Sequence, residues 1–307
     1  MAGSQSAYDV LCYGAISMDS YTWLPYLPSP RRDVQADVEY DTVGGEALSV
    51  AIPLAAWGLR VLLTGNMIGT DRKADFIMSE VAGYPTIDTR YLRRHANVAT
   101  PFARLLVTPE GGRSRINYWY DDAPRVELST GMMSEAAILS IDAYGRHERE
   151  RAATVARELG RPVITSDAYW PQYALASLSD VVILSRERLQ AHFPGVYEYD
   201  HSLEMQERGS GVVIITNNDR PLLVVRRDGS AFTVDPYEPP GAVVDTSAAG
   251  HVFKAGIVYG WLKPDWSLEQ KVRFACAAAA LSCVREHAHA DPPPLAGIEA
   301  LLAAQPR

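Results

Sequence analysis

The sequence predicts an α/β fold: a mainly parallel sheet covered by helices on both faces, in three layers, with a small β-sheet lid. Three observations predict it. From residue 136 onward, β-like and helix-like patterns alternate, the rhythm of a parallel sheet with crossover helices. Two segments, 18–41 and 100–121, fall outside that rhythm and are strand-like, aromatic and polar at alternate positions. Hydrophobic residues make up 47% and charged residues 21% of the 307, enough apolar material for a sizeable core. Length alone would allow about two domains at roughly 150 residues each. The pattern instead predicts one domain over 1–307, its lid formed by about 18–41 and 100–121.

The elements follow in order. Tyr8 to Tyr13 reads as a strand ending at Gly14. An aromatic, Pro-containing segment leads to residues 34–41, whose alternation predicts a half-exposed strand. After Gly44-Gly45 comes a helix pattern from Glu46 to Trp57, closed by Gly58, and Pro53 inside it is expected to kink or shorten the helix. RVLLTGNMIG is a buried strand entering a loop, and DRKADFIMSEVAG a helix with an acidic start and a Gly stop. Residues 101–107 and 114–120 pair as a hairpin around Pro109-Glu110-Gly111-Gly112. Then come strand AAILSID, helix RHERERAATVARELG, strands PVITSD and DVVIL, helix RERLQAHF and strand GVVIIT. PLLVVRR with AFTV forms an edge hairpin, and two helices, roughly 248–261 and 268–286, precede a last short one after Pro292 to Pro294.

Composition excludes several function classes. Lys and Arg total 29 and Asp and Glu 37, a net charge of −8, without the basic stripe of a nucleic-acid binder. Cys12, Cys276 and Cys283 are too few and too scattered for a disulfide framework and read as buried, reduced thiols. The N-terminus lacks the pattern of a signal peptide, and the longest apolar run, Phe274 to Leu281, is far short of a membrane span. A cytoplasmic protein without nucleic-acid or membrane partners is expected. No His or Cys cluster has zinc spacing, His287 and His289 are two apart, and no metal ligand is assigned. The run Arg146 to Arg151 reads as a solvated helix face of paired charges.

Two segments carry chemistry. Gly44-Gly45 before a helix lets a ligand approach backbone amides, or simply makes a tight connection. In Val243 to His251, a β-like run ends in Asp245 and small residues open a helix, with His251 in its first turn. Amides there suit a transferring phosphate, with His251 as base beside them. Read without that chemistry, Asp245, Thr246 or Ser247 is an ordinary cap and His251 a solvated residue.

Together these segments resemble the ribokinase-like (PfkB) sugar kinase family, over nearly the whole chain. YDVLCYGAISMDSY is similar to the family's first strand and its substrate-facing Asp, here Asp19. GGEALSVAIPLAAWGLRVLLTGNMIGTD resembles the amino-terminal Gly-Gly signature, and VVDTSAAGHVFKAGIVYGWL the carboxy-terminal D-T-x-G-A-G-D signature. The resemblance implies an ATP-dependent phosphoryl transfer to a sugar or nucleoside hydroxyl, with Mg²⁺ if active. It implies substrate contacts at Asp19, Gly44, Gly45 and Ser49, an anion hole at Ala248, Ala249 and Gly250, and nucleotide contacts at Thr216, Asn218 and Asp245.

The departures are specific. His251 stands where the family has its Asp base, Ala248 where it has the first Gly of the anion hole, and Ser49 where it has Asn. The N-x-x-E segment aligns with Ser185-Arg186-Glu187-Arg188, which reverses a sign expected to attract metal, and T-x-G-x-x-G aligns with Thr216 to Pro221, without either glycine. These imply a kinase weakened or lost. The alternative is a non-catalytic small-ligand-binding sensor or partner protein. Tyr118, Trp119 and Tyr120 are open between ligand stacking, packing on one another and a homodimer contact through the lid.

Overall fold

The computed structural model describes residues 6–109, 113–145, 147–286, 288 and 290–306. The expected hairpin turn at 110–112, and Arg146, His287 and His289, lie outside them.

Strands β1 (Tyr8–Gly14), β4 (Val61–Gly65), β5 (Ile87–Asp88), β8 (Ala136–Ile141), β9 (Val163–Ser166), β10 (Val181–Ser185) and β11 (Val212–Thr216) form the parallel body of a nine-stranded sheet. Its order is β13-β12-β11-β10-β9-β8-β1-β4-β5, and β12 (Leu222–Val225) and β13 (Ala231–Val234) close one edge antiparallel, the expected hairpin. Successive side chains of a strand point to opposite faces. Val10 and Cys12 therefore enter one core and Leu11 and Tyr13 the other. Helices α1 (Glu46–Ala56), α2 (Arg72–Ala82), α8 (Ala249–Trp261), α9 (Leu268–Ser282) and α10 (Leu295–Ala304) pack on the first face. Helices α3 (Thr130–Ser134), α4 (His147–Glu158), α5 (Ala174–Ser177), α6 (Arg186–His192) and α7 (Glu198–Glu207) pack on the second.

A second, four-stranded sheet has the order β3-β2-β6-β7, with β2 (Ser17–Trp23), β3 (Val38–Gly44), β6 (Phe102–Val107) and β7 (Arg113–Tyr118). It joins the body where β1 leads into β2 and where β3 leads through Gly45 into α1. The strand expected at 34–41 starts later and runs on to Gly44, because its pairing with β2 matches Trp23 with Val38 and Ser17 with Gly44. Pro53 does not break α1, which continues to Ala56, and Asp71 caps α2 by accepting from the Ala74 amide at 3.0 Å. Helix α9 stops at Ser282, short of the expected 286, and α7 was not anticipated because its polar sequence carries only a weak apolar stripe. Cys12 and Cys276 are buried and Cys283 is half-buried, all free. Among the described residues no helix is long and apolar enough to cross a membrane.

Candidate active site

The parallel strands end on the side where β1 leads into the second sheet, the side on which an open α/β sheet usually binds ligands in a crevice. Its floor is a chain of paired charges. Asp142, just beyond β8, receives the Ala15 amide at 2.5 Å and Arg149 Nε at 2.8 Å. Both side chains of that ion pair are fully buried. This corrects the reading of 146–151 as a solvated face at one position: Arg149 turns inward with Ala152, Ala153 and Ala156, because Asp142 offers it a buried counter-charge, while His147 and Arg151 are exposed and paired with Glu150 and Glu127.

Glu46, the first residue of α1, meets Lys254 from the second turn of α8 in a direct ion pair. The Lys254 ammonium also donates to Ile141 O at 2.7 Å and to Ser166 Oγ at 3.2 Å, so all three of its protons have acceptors. Burial pushes the Glu46 carboxyl up, and the ammonium opposes the shift. Lys254 thus pins α8 to the ends of β8 and β9 beside the start of α1. Burial also pushes the neighbouring Cys12 thiol up to about 12, which keeps it protonated and unreactive.

Asp167, one residue beyond β9, holds a left-handed φ of 61°. Its carboxylate accepts from Tyr169 OH at 2.8 Å, Tyr144 OH at 2.5 Å and Arg188 Nη1 at 2.6 Å. Arg188 therefore ends beside β9, with 57% of its side chain exposed. Ser185 opens α6, and its amide donates to Tyr169 OH at 3.2 Å.

On the other flank, Asp19 of β2 is 4% exposed. Its Oδ1 accepts from Ser17 Oγ at 3.1 Å and Tyr120 OH at 3.2 Å, and Arg115 Nη2 lies 3.4 Å from Oδ2. Burial raises the pKa of Asp19 against the pull of Arg115. A Cβ on Gly44 would overlap this carboxylate, and Gly45, at φ 78°, lies against the Ala15 carbonyl. Ser49 is buried one turn into α1. The aromatic triplet divides: Tyr120 turns in to Asp19, while Tyr118 and Trp119 are 37% and 42% exposed.

The α8 entrance is a turn in which Asp245 accepts from the Ser247 amide at 2.8 Å and its hydroxyl at 2.7 Å. Ala248 is the N-cap residue, without a side-chain cap. The Ala249 amide is engaged by Thr246 O at 3.2 Å, and Gly250 faces open space. His251, half-buried, is three residues before Lys254 and so lies on the same helix face. Thr216 ends β11 in register with Ser185, with its hydroxyl on Leu184 O at 3.2 Å, and Asn218 has φ 51° in the following turn.

Sequence reasoning missed Lys254, Glu46, Asp142, Arg149, Asp167 and Asn66. Asn66 clamps the β1–β2 turn by accepting from Ile16 N at 2.7 Å and donating to Ile16 O at 3.0 Å. A usable signal existed for two of them. A lone Lys in the apolar α8 and a lone Glu in the apolar α1 each require a partner once buried.

The family model for pfkB family carbohydrate kinases matches residues 8–294. A ribokinase of Haemophilus influenzae is 24% identical over 299 residues, covering 91% of this chain and 94% of that protein. The structure of Arabidopsis thaliana ribokinase complexed with ribose and ATP superposes with a TM-score of 0.82 at 18% identity, covering 96% and 98% of the two chains. An Escherichia coli structure in complex with ATP and Mg²⁺ gives a TM-score of 0.78 at 17% identity, covering 97% and 100%.

Proposed function

The chain belongs to the pfkB family of carbohydrate kinases, and from that premise we propose that it transfers a phosphoryl group from ATP to a hydroxyl of a sugar or nucleoside, at a rate held down by His251 in the place of the family's Asp. The observations that support this reading are the Gly44 backbone against the Asp19 carboxylate and, directly after Gly44 and Gly45, the Glu46–Lys254 pair that ties the start of α1 to the second turn of α8. Asp19, with two carboxylate oxygens, accepts hydrogen bonds from substrate hydroxyls. Gly44 leaves the space that this carboxylate fills. His251 accepts the proton of the attacking hydroxyl, whose oxygen bonds to the γ-phosphorus as the β–γ bridging oxygen leaves with ADP. Ala248, Ala249 and Gly250 form the anion cradle at the start of α8, the Ala249 amide leaving Thr246 O for the phosphate, Gly44, Gly45 and Ser49 line the substrate side, and Thr216, Asn218 and Asp245 the nucleotide side.

Imidazole is a competent base near neutrality, with an unperturbed pKa of about 6.5. It is bulkier than a carboxylate and accepts the proton at a different position. Loss of a well-placed base commonly costs about 10²–10⁴-fold. A Mg²⁺ held by protein side chains alone, without nucleotide phosphates, does not fit the donor set. Among the described residues no group of three or more His, Cys, Asp or Glu is placed to hold a metal ion. Glu46, Asp142 and Asp167 are each occupied by a cation of the chain itself.

The second reading, a small-ligand-binding protein without turnover, is favoured by one observation: Arg188 and Asp167 close on each other, on the side of the crevice next to Thr216. The exposed Ile116, Tyr118 and Trp119 suit a homodimer through the lid. The test of the first reading is product formation from ATP with a panel of sugars and nucleosides. Turnover abolished by His251→Ala supports it. Ligand-induced thermal stabilisation with no product on any substrate refutes it in favour of the second.

A further inference from the structure

The crevice floor contains its own counter-charges. Glu46 faces Lys254, Asp142 faces Arg149, and Asp167 faces Arg188, with contacts of 2.8 Å and 2.6 Å in the last two pairs. Further out, Glu148 lies 3.5 Å from Arg125. Asp245, at the α8 entrance, is engaged otherwise: its amide donates to Cys283 O, at the end of α9, and its carboxylate accepts from Ser247. A divalent cation brought to Glu46, Asp142 or Asp167 would have to displace an ammonium or guanidinium and leave it unpaired. A phosphate meets the opposite situation. Lys254 and Arg149 are sealed, at 2% and 0% exposure, and cannot reach it. Arg188 is different. One nitrogen is fixed by Asp167 and Tyr144 OH, both at 2.6 Å, while more than half of the side chain remains open. A guanidinium held along one edge presents its other donors to phosphate oxygens in a fixed orientation.

We propose that Arg188 binds the phosphates of a nucleoside di- or triphosphate directly, in the role a divalent ion would otherwise fill, so that nucleotide binding by this chain does not depend on Mg²⁺. The nucleotide as occupant rests on the kinase reading above. Its position rests on the same reading, which puts Thr216 on the nucleotide side: Ser185 pairs with Thr216, and Arg188 follows within the first turn of α6.

The experiment is calorimetric titration of the full chain with ADP and with ATP, in EDTA and in excess Mg²⁺. The dissociation constants are expected to agree within about threefold, and Arg188→Ala to weaken metal-free binding about tenfold or more, as expected for removal of a charge-assisted contact. Arg188→Lys, which keeps the charge without the fork, is expected to fall between them, and thermal unfolding checks that each variant is folded. Tightening by Mg²⁺ of tenfold or more in the unmodified chain overturns the proposal, as does an unchanged metal-free constant in Arg188→Ala or no nucleotide binding in either buffer. The two readings fail separately. Turnover together with Mg²⁺-dependent binding sinks only the Arg188 proposal, while metal-free binding without product sinks only the kinase.

Discussion

Replacing Lys254 by Met removes the charge that holds α8 to the sheet while keeping most of the side-chain stem. Among the described residues Glu46, 6% exposed, then retains only the Ser166 hydroxyl as a hydrogen-bond partner. Breaking a buried ion pair by deleting one member costs about 3–5 kcal/mol, because the remaining charge is left uncompensated in low dielectric. At about 2 °C per kcal/mol for a large domain, Tm is expected to fall by about 6–10 °C. The deficit should depend on pH with a definite sign. Burial already raises the Glu46 carboxyl above its ordinary 4.5, and loss of the ammonium raises it further. The native state then holds the Glu46 proton more tightly than the unfolded state, so stability falls as pH rises through the folded-state pKa. Urea unfolding followed by Trp fluorescence at pH 5 and pH 8 should show the larger deficit at pH 8. Adding Glu46→Gln to Lys254→Met should recover part of it, a coupling that a double-mutant cycle isolates. A deficit below about 1 kcal/mol at pH 8, or one equal at both pH values, would refute the account of Lys254 as the neutralising partner.

Three further outcomes are expected. Asp19→Asn should stabilise the fold by about 1 kcal/mol at neutral pH while abolishing binding of neutral sugars; its raised pKa means that stability falls as pH rises through the folded value, so the gain should vanish below the ordinary 3.8, and thermal unfolding from pH 3 to 8 checks this. Gly44→Ala should cost about 1–3 kcal/mol and weaken sugar binding, since its Cβ overlaps the Asp19 carboxylate; unchanged affinity in a ligand titration would count against the assigned substrate side. His201 is 4% exposed, contacts Tyr169 O at 2.9 Å and has its pKa lowered by burial. The native state therefore resists its protonation, stability should fall as pH drops below 6.5, and the slope between pH 7 and 5 should be shallower in His201→Gln.

What was legible in the sequence was whatever a local pattern encodes. Six of the seven parallel strands read as short apolar runs between turn signals, the two-residue β5 being too short to carry a pattern, and Val10 to Tyr13 shows both faces of a buried strand in four residues. The small sheet was legible because aromatic, alternating segments interrupted the rhythm, although its second strand was placed too early. Register there follows from which residue faces Asp19 and Tyr21 across the pairing, and that is not a local property. Asp19 and Gly44 were legible singly. Their contact was not, because it joins two strands through the one position where a side chain would fill the carboxylate's space.

The charged residues of the crevice show why a position-by-position comparison misjudges a site. Arg188 in the place of an acid looks, in the sequence, like a reversed charge and hence like damage. In the fold it has two partners, Asp167 and Tyr144, and Asp167 adopts a left-handed backbone conformation that places its carboxylate among them. Lys254 and Glu46, 208 residues apart, are likewise each improbable alone and complementary together. A buried charge left without a partner costs several kcal/mol. Here Glu46, Asp142 and Asp167 all have counter-charges, so the departures at 185–188 sit within a neutralised floor instead of an eroded one. That arrangement accounts for a crevice that keeps its fold while presenting a cation where an acid is expected, and it makes the charge of its ligand the property to measure first.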